Sequence, residues 1–312
     1  MAAGPVGAVR SRRCHSFELA VPQLIDVTGL PLAAERRPTL PLAAAANRVM
    51  WLNDERVFYA GLLGDMTERC MGGWHVYVSL GEPIRLSLDG GPWQTTDLAV
   101  VPPYVRHRVA CDERLIADVV IEPELVDPQG LPDFFRLRSG AVHDETAVVR
   151  RVRELHSWLC VQGQQASLST ADVDEFLFGH PLAPRRLDAR IARVLDTLRA
   201  DPAAPLTAAE CAAEVGLSFS RFLHLFKQET GVSFRHLRAW KRARSLLHHV
   251  TRAANLVHVA LDTGYPDSTH FSHSIRQVYG LKPRDLFAGS RQLKVLGDSP
   301  AALAARRADN WR

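Results

Sequence analysis

The stretch FSHSIRQVYG, residues 271–280, repeats the pattern of FLHLFKQETG, residues 222–231. In register, Phe222 aligns with Phe271, His224 with His273, Phe226 with Ile275, Lys227 with Arg276, Gln228 with Gln277 and Gly231 with Gly280. Upstream, with the spacing one residue shorter, Ala212 meets Ala260, Glu214 meets Asp262 and Gly216 meets Gly264. The slip falls in a turn, so each unit reads as helix, glycine turn, helix.

Local chemistry supports two such units. Thr207 followed by Glu210 is a capping box. Ser218, Asn255 and Asp267 are N-caps for the helices that follow them. Gly216 tolerates the positive φ that a tight turn needs. Phe222 with Phe226, and Phe271 with Ile275, fall on one face of their helices and read as core. Between the units, SFRHLRAWKRARSLLHHV (233–250) predicts a helix of about 17 residues, roughly 25 Å long. Leu237, Trp240, Leu246 and Leu247 face inward, leaving Arg235, Arg238, Lys241, Arg242 and Arg244 to water or phosphate. Such a strut can hold two reading helices about one DNA turn apart, roughly 34 Å.

Charge follows the same division. The chain of 312 residues carries a net +4. Arg186 to Lys294 holds 17 Lys/Arg against 9 Asp/Glu, a net +8, which leaves −4 for the remainder. A basic C-terminal third on a mildly acidic protein fits a polyanion partner for that third, or a solvated basic face. No apolar run approaches the roughly 18 residues of a membrane span. The five cysteines (Cys14, Cys70, Cys111, Cys160, Cys211) are scattered without metal or redox spacing, as free thiols in a reducing cytoplasm would be.

Residues 48–122 read as short strands: RVFYAGLL, WHVYVSL, PIRLSL, LAVVPP, RHRVA and RLIADVVI, punctuated by GEP, DGGPW and PPY. That spacing predicts a sandwich or small barrel. The pattern then turns helical. Val148, Val152, Leu155 and Leu159 form an apolar seam, suited either to pairing two protomers or to packing on the same chain's strands. A short helix around Phe176 and the linker GHPLAPRR follow. The expected organisation is a flexible extension over 1–46, a strand-rich domain with a helical end over 47–180, a basic all-helical domain over 186–294 and a tail over 295–312.

GLSFSRFLHLFKQETG and GYPDSTHFSHSIRQVYGLKPRDLF resemble the two recognition units of the AraC/XylS family of bacterial transcription regulators. The likeness covers about a third of the chain. It implies an α+β protein of two domains, the C-terminal one an all-α double helix-turn-helix domain. It implies double-stranded promoter DNA as partner, with RNA polymerase, a homodimer and a small-molecule effector as further partners, and activation as the role. The family's base-reading positions fall on Ser220, Leu223 and His224, and on Ser268, Thr269, His270 and His273. Arg221, Lys227 and Arg276 fall at phosphate contacts. The family often has arginine where His224 and His273 stand; arginine would grip guanine with two bonds, whereas histidine offers the groove one nitrogen.

The N-terminal part resembles, more loosely, the cupin-like β-barrel sensor domains of these regulators. PPYVRH (102–107) is similar to the cupin turn, with Tyr104 in place of glycine, and GWHVYVSL keeps His75 with Tyr77 in place of a second histidine. A cupin metal site uses about three histidines and a carboxylate. With two histidines, His75 and His107, no metal and no other cofactor is expected. Trp74, His75, Tyr77, Tyr104 and His107 are candidates for an effector pocket or for simple packing. The alternative function, a cupin-type metal-dependent enzyme with an accessory helical domain, suffers from the same broken histidine pattern.

Overall fold

The computed structural model describes residues 48–162, 168–251 and 255–297. The expected extension over 1–46 and the tail beyond Gly297 lie outside the described residues. Strands β1 (Val49–Leu52), β2 (Arg56–Leu62), β3 (Trp74–Ser79), β6 (Leu98–Val101), β8 (Leu115–Ile121), β9 (Gly140–Val142) and β10 (Lys294–Gly297) form a sheet ordered β10-β1-β2-β8-β3-β6-β9. Strands β4 (Ile84–Leu88), β5 (Gln94–Thr96) and β7 (His107–Ala110) form a second sheet ordered β5-β4-β7. The N-terminal half is thus β-rich and the C-terminal half helical, as expected, but the described strands make two sheets and no closed barrel.

The larger sheet is buried on both faces, which is why its strands read as nearly continuous apolar runs. Side chains alternate between two cores. Trp51, Phe58, Val76, Val100 and Val119 point to one, where they meet Phe134 and Phe135 of α1 (Asp133–Arg136), helix α2 (Thr146–Gln162) and helix α3 (Thr170–Phe178). Met50, Val57, Tyr77, Val101 and Val120 point to the other, where they meet Ile84, Leu86 and Val109 of the smaller sheet.

The seam of α2 belongs to the first core. Val148, Val152, Leu155 and Leu159 are all buried against the chain's own sheet, so the reading of this seam as a pairing surface between protomers is corrected. The 4-3-4 spacing marks a helix with one buried stripe; it does not say what covers the stripe. Arg56 Nε and Nη2 grip the Asp174 carboxylate at 2.9 and 2.8 Å, fixing α3 on β2 in a buried, two-bonded pair.

The last strand crosses back from the helical half. β10 pairs in parallel with β1, Val49 opposite Lys294 and Leu52 opposite Gly297. The segment read from the sequence as a tail therefore contributes Val295–Gly297 to the N-terminal sheet. Among the described residues, no helix is long and apolar enough to cross a membrane.

Candidate nucleic-acid interface

The repeat seen in the sequence is a repeat in space. The first unit is α5 (Ala208–Glu214) and α6 (Phe219–Thr230), between α4 (Ala189–Ala200) and α7 (Phe234–Ser245). The second is α8 (Leu256–Asp262) and α9 (Ser268–Tyr279), followed by α10 (Pro283–Gly289). Thr207 and Glu210 form the capping box of α5. Ser218 accepts from Arg221 N–H at the start of α6, Asn255 from Val257 N–H at α8, and Asp267 from Thr269 and His270 N–H at α9. The turn glycines Gly216 and Gly264 have φ of 66° and 79°, and Gly231 and Gly280 end their helices in the same left-handed region.

The two units bury their apolar faces differently. Phe222, Leu225 and Phe226 pack with Ile191, Val194 and Leu198 of α4 and Phe234 and Leu237 of α7 in a core of their own. Phe271, Ile275 and Val278 share a core with Trp240, Ala243 and Leu246, and with Met50, Tyr77 and Val101 of the sheet. Cys70 N–H donates to the carbonyls of Gln277 and Val278 at 3.2 and 3.1 Å, holding the end of α9 to the loop between β2 and β3.

Every residue assigned to reading DNA lies outside these cores. Ser220, Arg221, Leu223, His224 and Lys227 are exposed on α6, and Ser268, Thr269, His270, His273 and Arg276 on α9. Arg221, Lys227 and Arg276 form no ion pair with any described carboxylate. Their charge is available to phosphate. His270 differs from its neighbours: its Nδ1 lies 2.8 Å from Asp267 Oδ2, so that nitrogen serves the helix cap and only Nε2 is left for the groove. Bonds from the His270 backbone and ring hold the Asp267 carboxyl below the usual carboxylate range. Phe219, 54% exposed at the first turn of α6, was not anticipated; an apolar residue just after an N-cap carries no periodic signal. Beside Leu223 it offers an apolar surface of the kind that contacts thymine methyl groups.

The strut between the units departs from the sequence reading. α7 covers 12 residues and then tightens into a 3-10 turn over Leu246–His248. Of the five cations expected to face water or phosphate, only Arg235 is exposed. Arg238 and Arg242 donate to the carbonyls of Ala204 and Pro202. Lys241 and Arg244 are buried and meet Glu122, which follows β8; Lys241 also meets Glu124. Trp240 Nε1 donates to Glu122 Oε2 at 2.8 Å. Burial pushes the Glu122 carboxyl up, yet the charges of Lys241 and Arg244, with these hydrogen bonds, bring it below its ordinary value. Composition alone places basic residues on a solvated face; the two glutamates of IEPEL, just past an apolar strand, were the available hint of buried partners.

The effector-pocket candidates divide. His75, Tyr77 and His107 come together on the inner face of the sheet, with Tyr77 Oη donating to His107 Nε2 at 2.9 Å and His107 Nδ1 donating to the Val105 carbonyl. His75 Nδ1 lies 2.9 Å from Asp118, and the Trp240 ring stands edge-on to His75 at 6.3 Å. Burial drives His107 down to about 3, so it is neutral at ordinary pH. Trp74 points to the opposite face, against Phe135. Tyr104 takes φ of 62°, a left-handed conformation that glycine adopts more readily, and its ring lies 5.8 Å from His236. Among the described residues no cluster of three or more His, Cys, Asp or Glu could hold a metal.

Residues 211–289 match the family model of a helix-turn-helix domain, which spans both units. This part of the chain is an AraC-type helix-turn-helix domain. The AraC-type domain is also similar to the invasion protein InvF of Salmonella typhi and of Salmonella typhimurium, at 34% identity over 74 residues. That match takes in 23% of this chain and 34% of the relative, so the chain spans about a third of the length of the curated relatives it matches. Beyond the AraC-type domain, a crystal structure of an apo ToxT variant from Vibrio cholerae shares the fold, with a TM-score of 0.53 at 11% identity over 76% of this chain and 98% of that one.

Proposed function

We propose that this protein is a sequence-specific DNA-binding transcription regulator that reads two successive major grooves with α6 and α9. The observation that carries the reading is the pair of repeated helices. Each is capped at its start, ended by a left-handed glycine and buried on one side, with its polar and unpaired basic residues exposed on the other. In this reading Ser220, Leu223, His224, Ser268, Thr269, His270 and His273 contact bases, and Arg221, Lys227 and Arg276 contact phosphates. The helix-turn-helix model matched over residues 211–289 supports regulation over the enzyme alternative.

The finer reading is an effector-responsive activator that works on the bacterial nucleoid with RNA polymerase and as a homodimer. The dimer would use a surface other than the buried seam of α2. Gel-shift titration of the full chain against DNA upstream of its own gene, competed with random duplex, tests the proposal. Specific binding that survives the competitor supports it; equal affinity for both duplexes would sink it.

A further inference from the structure

Phe219 and Leu223 set the two reading helices apart. They stand four residues apart on α6 and are 54% and 37% exposed, so they form one apolar patch. In the register of the repeat, the same positions of α9 are Ser268 and Ser272. Among the described residues α9 exposes no large apolar side chain; its open face carries Ser268, Thr269, His270, His273 and Arg276. Two helices with the same caps, glycine ends and buried stripes thus offer different chemistry outward.

A lone exposed apolar residue is ordinary on a protein surface. This pair, however, lies within the reading face. Around the helix Leu223 stands between Phe219 and the pair Ser220 and His224, with Lys227 one turn further along. Arg221 and Lys227, exposed on the same side, pair with no described carboxylate. A second protein pressed on the patch would have to strip water from those cations. Duplex DNA brings phosphates to them and, in the major groove, an apolar group of its own, the thymine C5-methyl.

We propose that Phe219 and Leu223 determine specificity for thymine, so that α6 takes a half-site whose thymine methyls pack on this patch. In α9 the half-site is read chiefly through hydroxyl and imidazole groups, with the single methyl of Thr269 as the apolar contact. This role rests on the reading of α6 and α9 as groove readers, and it gives the complex a direction. Both helices belong to one chain, so unlike half-sites fix one orientation on the duplex, and the pair of half-sites bound by one chain is not a palindrome.

The test starts from duplexes that the full chain selects out of a randomised pool. Each dT of the two half-sites is then replaced by dU, which lacks only the methyl, and affinity is measured by gel shift. Replacement in one half-site should weaken binding about fourfold per methyl, the scale of burying one such group. Replacement in the other should have a smaller effect. Phe219→Ser combined with Leu223→Ser, which matches α6 to α9 at both positions, should abolish the larger effect. Phe219→Ser alone, which should reduce it, serves if the double variant no longer binds DNA. No effect of dU in either half-site, equal effects in both, or an effect that persists unchanged in the variants overturns the proposal while leaving groove reading intact. Variants that lose an oligomer in sedimentation but keep the full dU effect also overturn it, and make the patch a contact between copies. If the pool yields no preferred duplex, groove reading itself fails and the thymine assignment fails with it.

Discussion

Lys241 Nζ sits 2.7 Å from Glu122 Oε2 with both side chains out of solvent. One belongs to the strut of the DNA-binding half, the other to the end of a strand in the N-terminal sheet. Taking two charges out of water costs several kcal/mol per ion, and only good geometry with further hydrogen bonds repays it. Here Trp240 Nε1 and Arg244 complete the set around Glu122, and Arg244 also donates to the Arg56 carbonyl at 3.1 Å. The cluster ties the orientation of α7, and with it both recognition units, to the sheet.

Removing one member strands the others. Glu122→Gln is expected to cost about 3 kcal/mol in urea unfolding at neutral pH, the scale for breaking a buried pair. The pH course follows from the sign of the shift. The folded carboxyl lies below its ordinary value. Its contribution is therefore complete above the unfolded value of about 4.3 and is lost as pH falls through the folded value. The stability gap between the parent and Glu122→Gln should be constant above about pH 5 and narrow below it. A gap that widens toward acid would contradict the assignment.

His107 adds a second acid dependence. Burial lowers it to about 3 in the folded protein, against about 6.5 when unfolded. The unfolded chain thus takes the proton first. Stability is complete above about pH 6.5 and falls toward pH 3 by up to about 1.4 kcal/mol per unit. His107→Gln, which keeps an acceptor for Tyr77, should flatten the urea midpoint between pH 6.5 and 4.5 relative to the parent.

The two turn glycines are equivalent in sequence but not in surroundings. Both have positive φ. A Cβ on Gly216 would meet nothing within 4 Å, whereas one on Gly264 would lie 2.7 Å from the Cα and carbonyl oxygen of Ala203. Gly216→Ala should cost about 1 kcal/mol, the strain of a left-handed alanine alone. Gly264→Ala should cost clearly more, since backbone must move. Thermal unfolding of the two variants side by side decides this; equal losses would show that the second turn relaxes freely.

Lys227 is exposed and unpaired on α6, so its contact with DNA is read as electrostatic. Lys227→Ala should weaken binding to all duplexes alike and lower the salt slope by about one. Loss confined to one sequence would mean that it reads a base.

The parts that were legible in the sequence are those set by local chemistry. The caps at Thr207, Ser218, Asn255 and Asp267, the left-handed glycines and the buried stripe of Phe222 and Phe226 are short-range features, and the structure has them where the residue pattern put them. Alternating strands were readable for the same reason. What the pattern could not supply was the identity of the partner across each buried face. Val152 and Leu155 read as a seam without saying that Phe58 and Val76 lie opposite. Lys241 and Arg244 read as solvated because Glu122 is over a hundred residues away. The return of Val295 to β1 had no marker at all, since four residues of alternating strand cannot name the edge they join. Trp74 illustrates the finer limit: being next to His75 in a strand puts it on the opposite face.

Hydroxyl-radical footprinting of the full chain on its specific duplex, compared with His224→Ala combined with His273→Ala, tests the central claim most directly. Two reading helices on one strut should give two protected patches on one face of the DNA, about one helical turn or 10 base pairs apart. The double variant should keep the patches while losing base preference at one position in each. A single patch, or even protection along the whole duplex in parent and variant alike, would contradict the account.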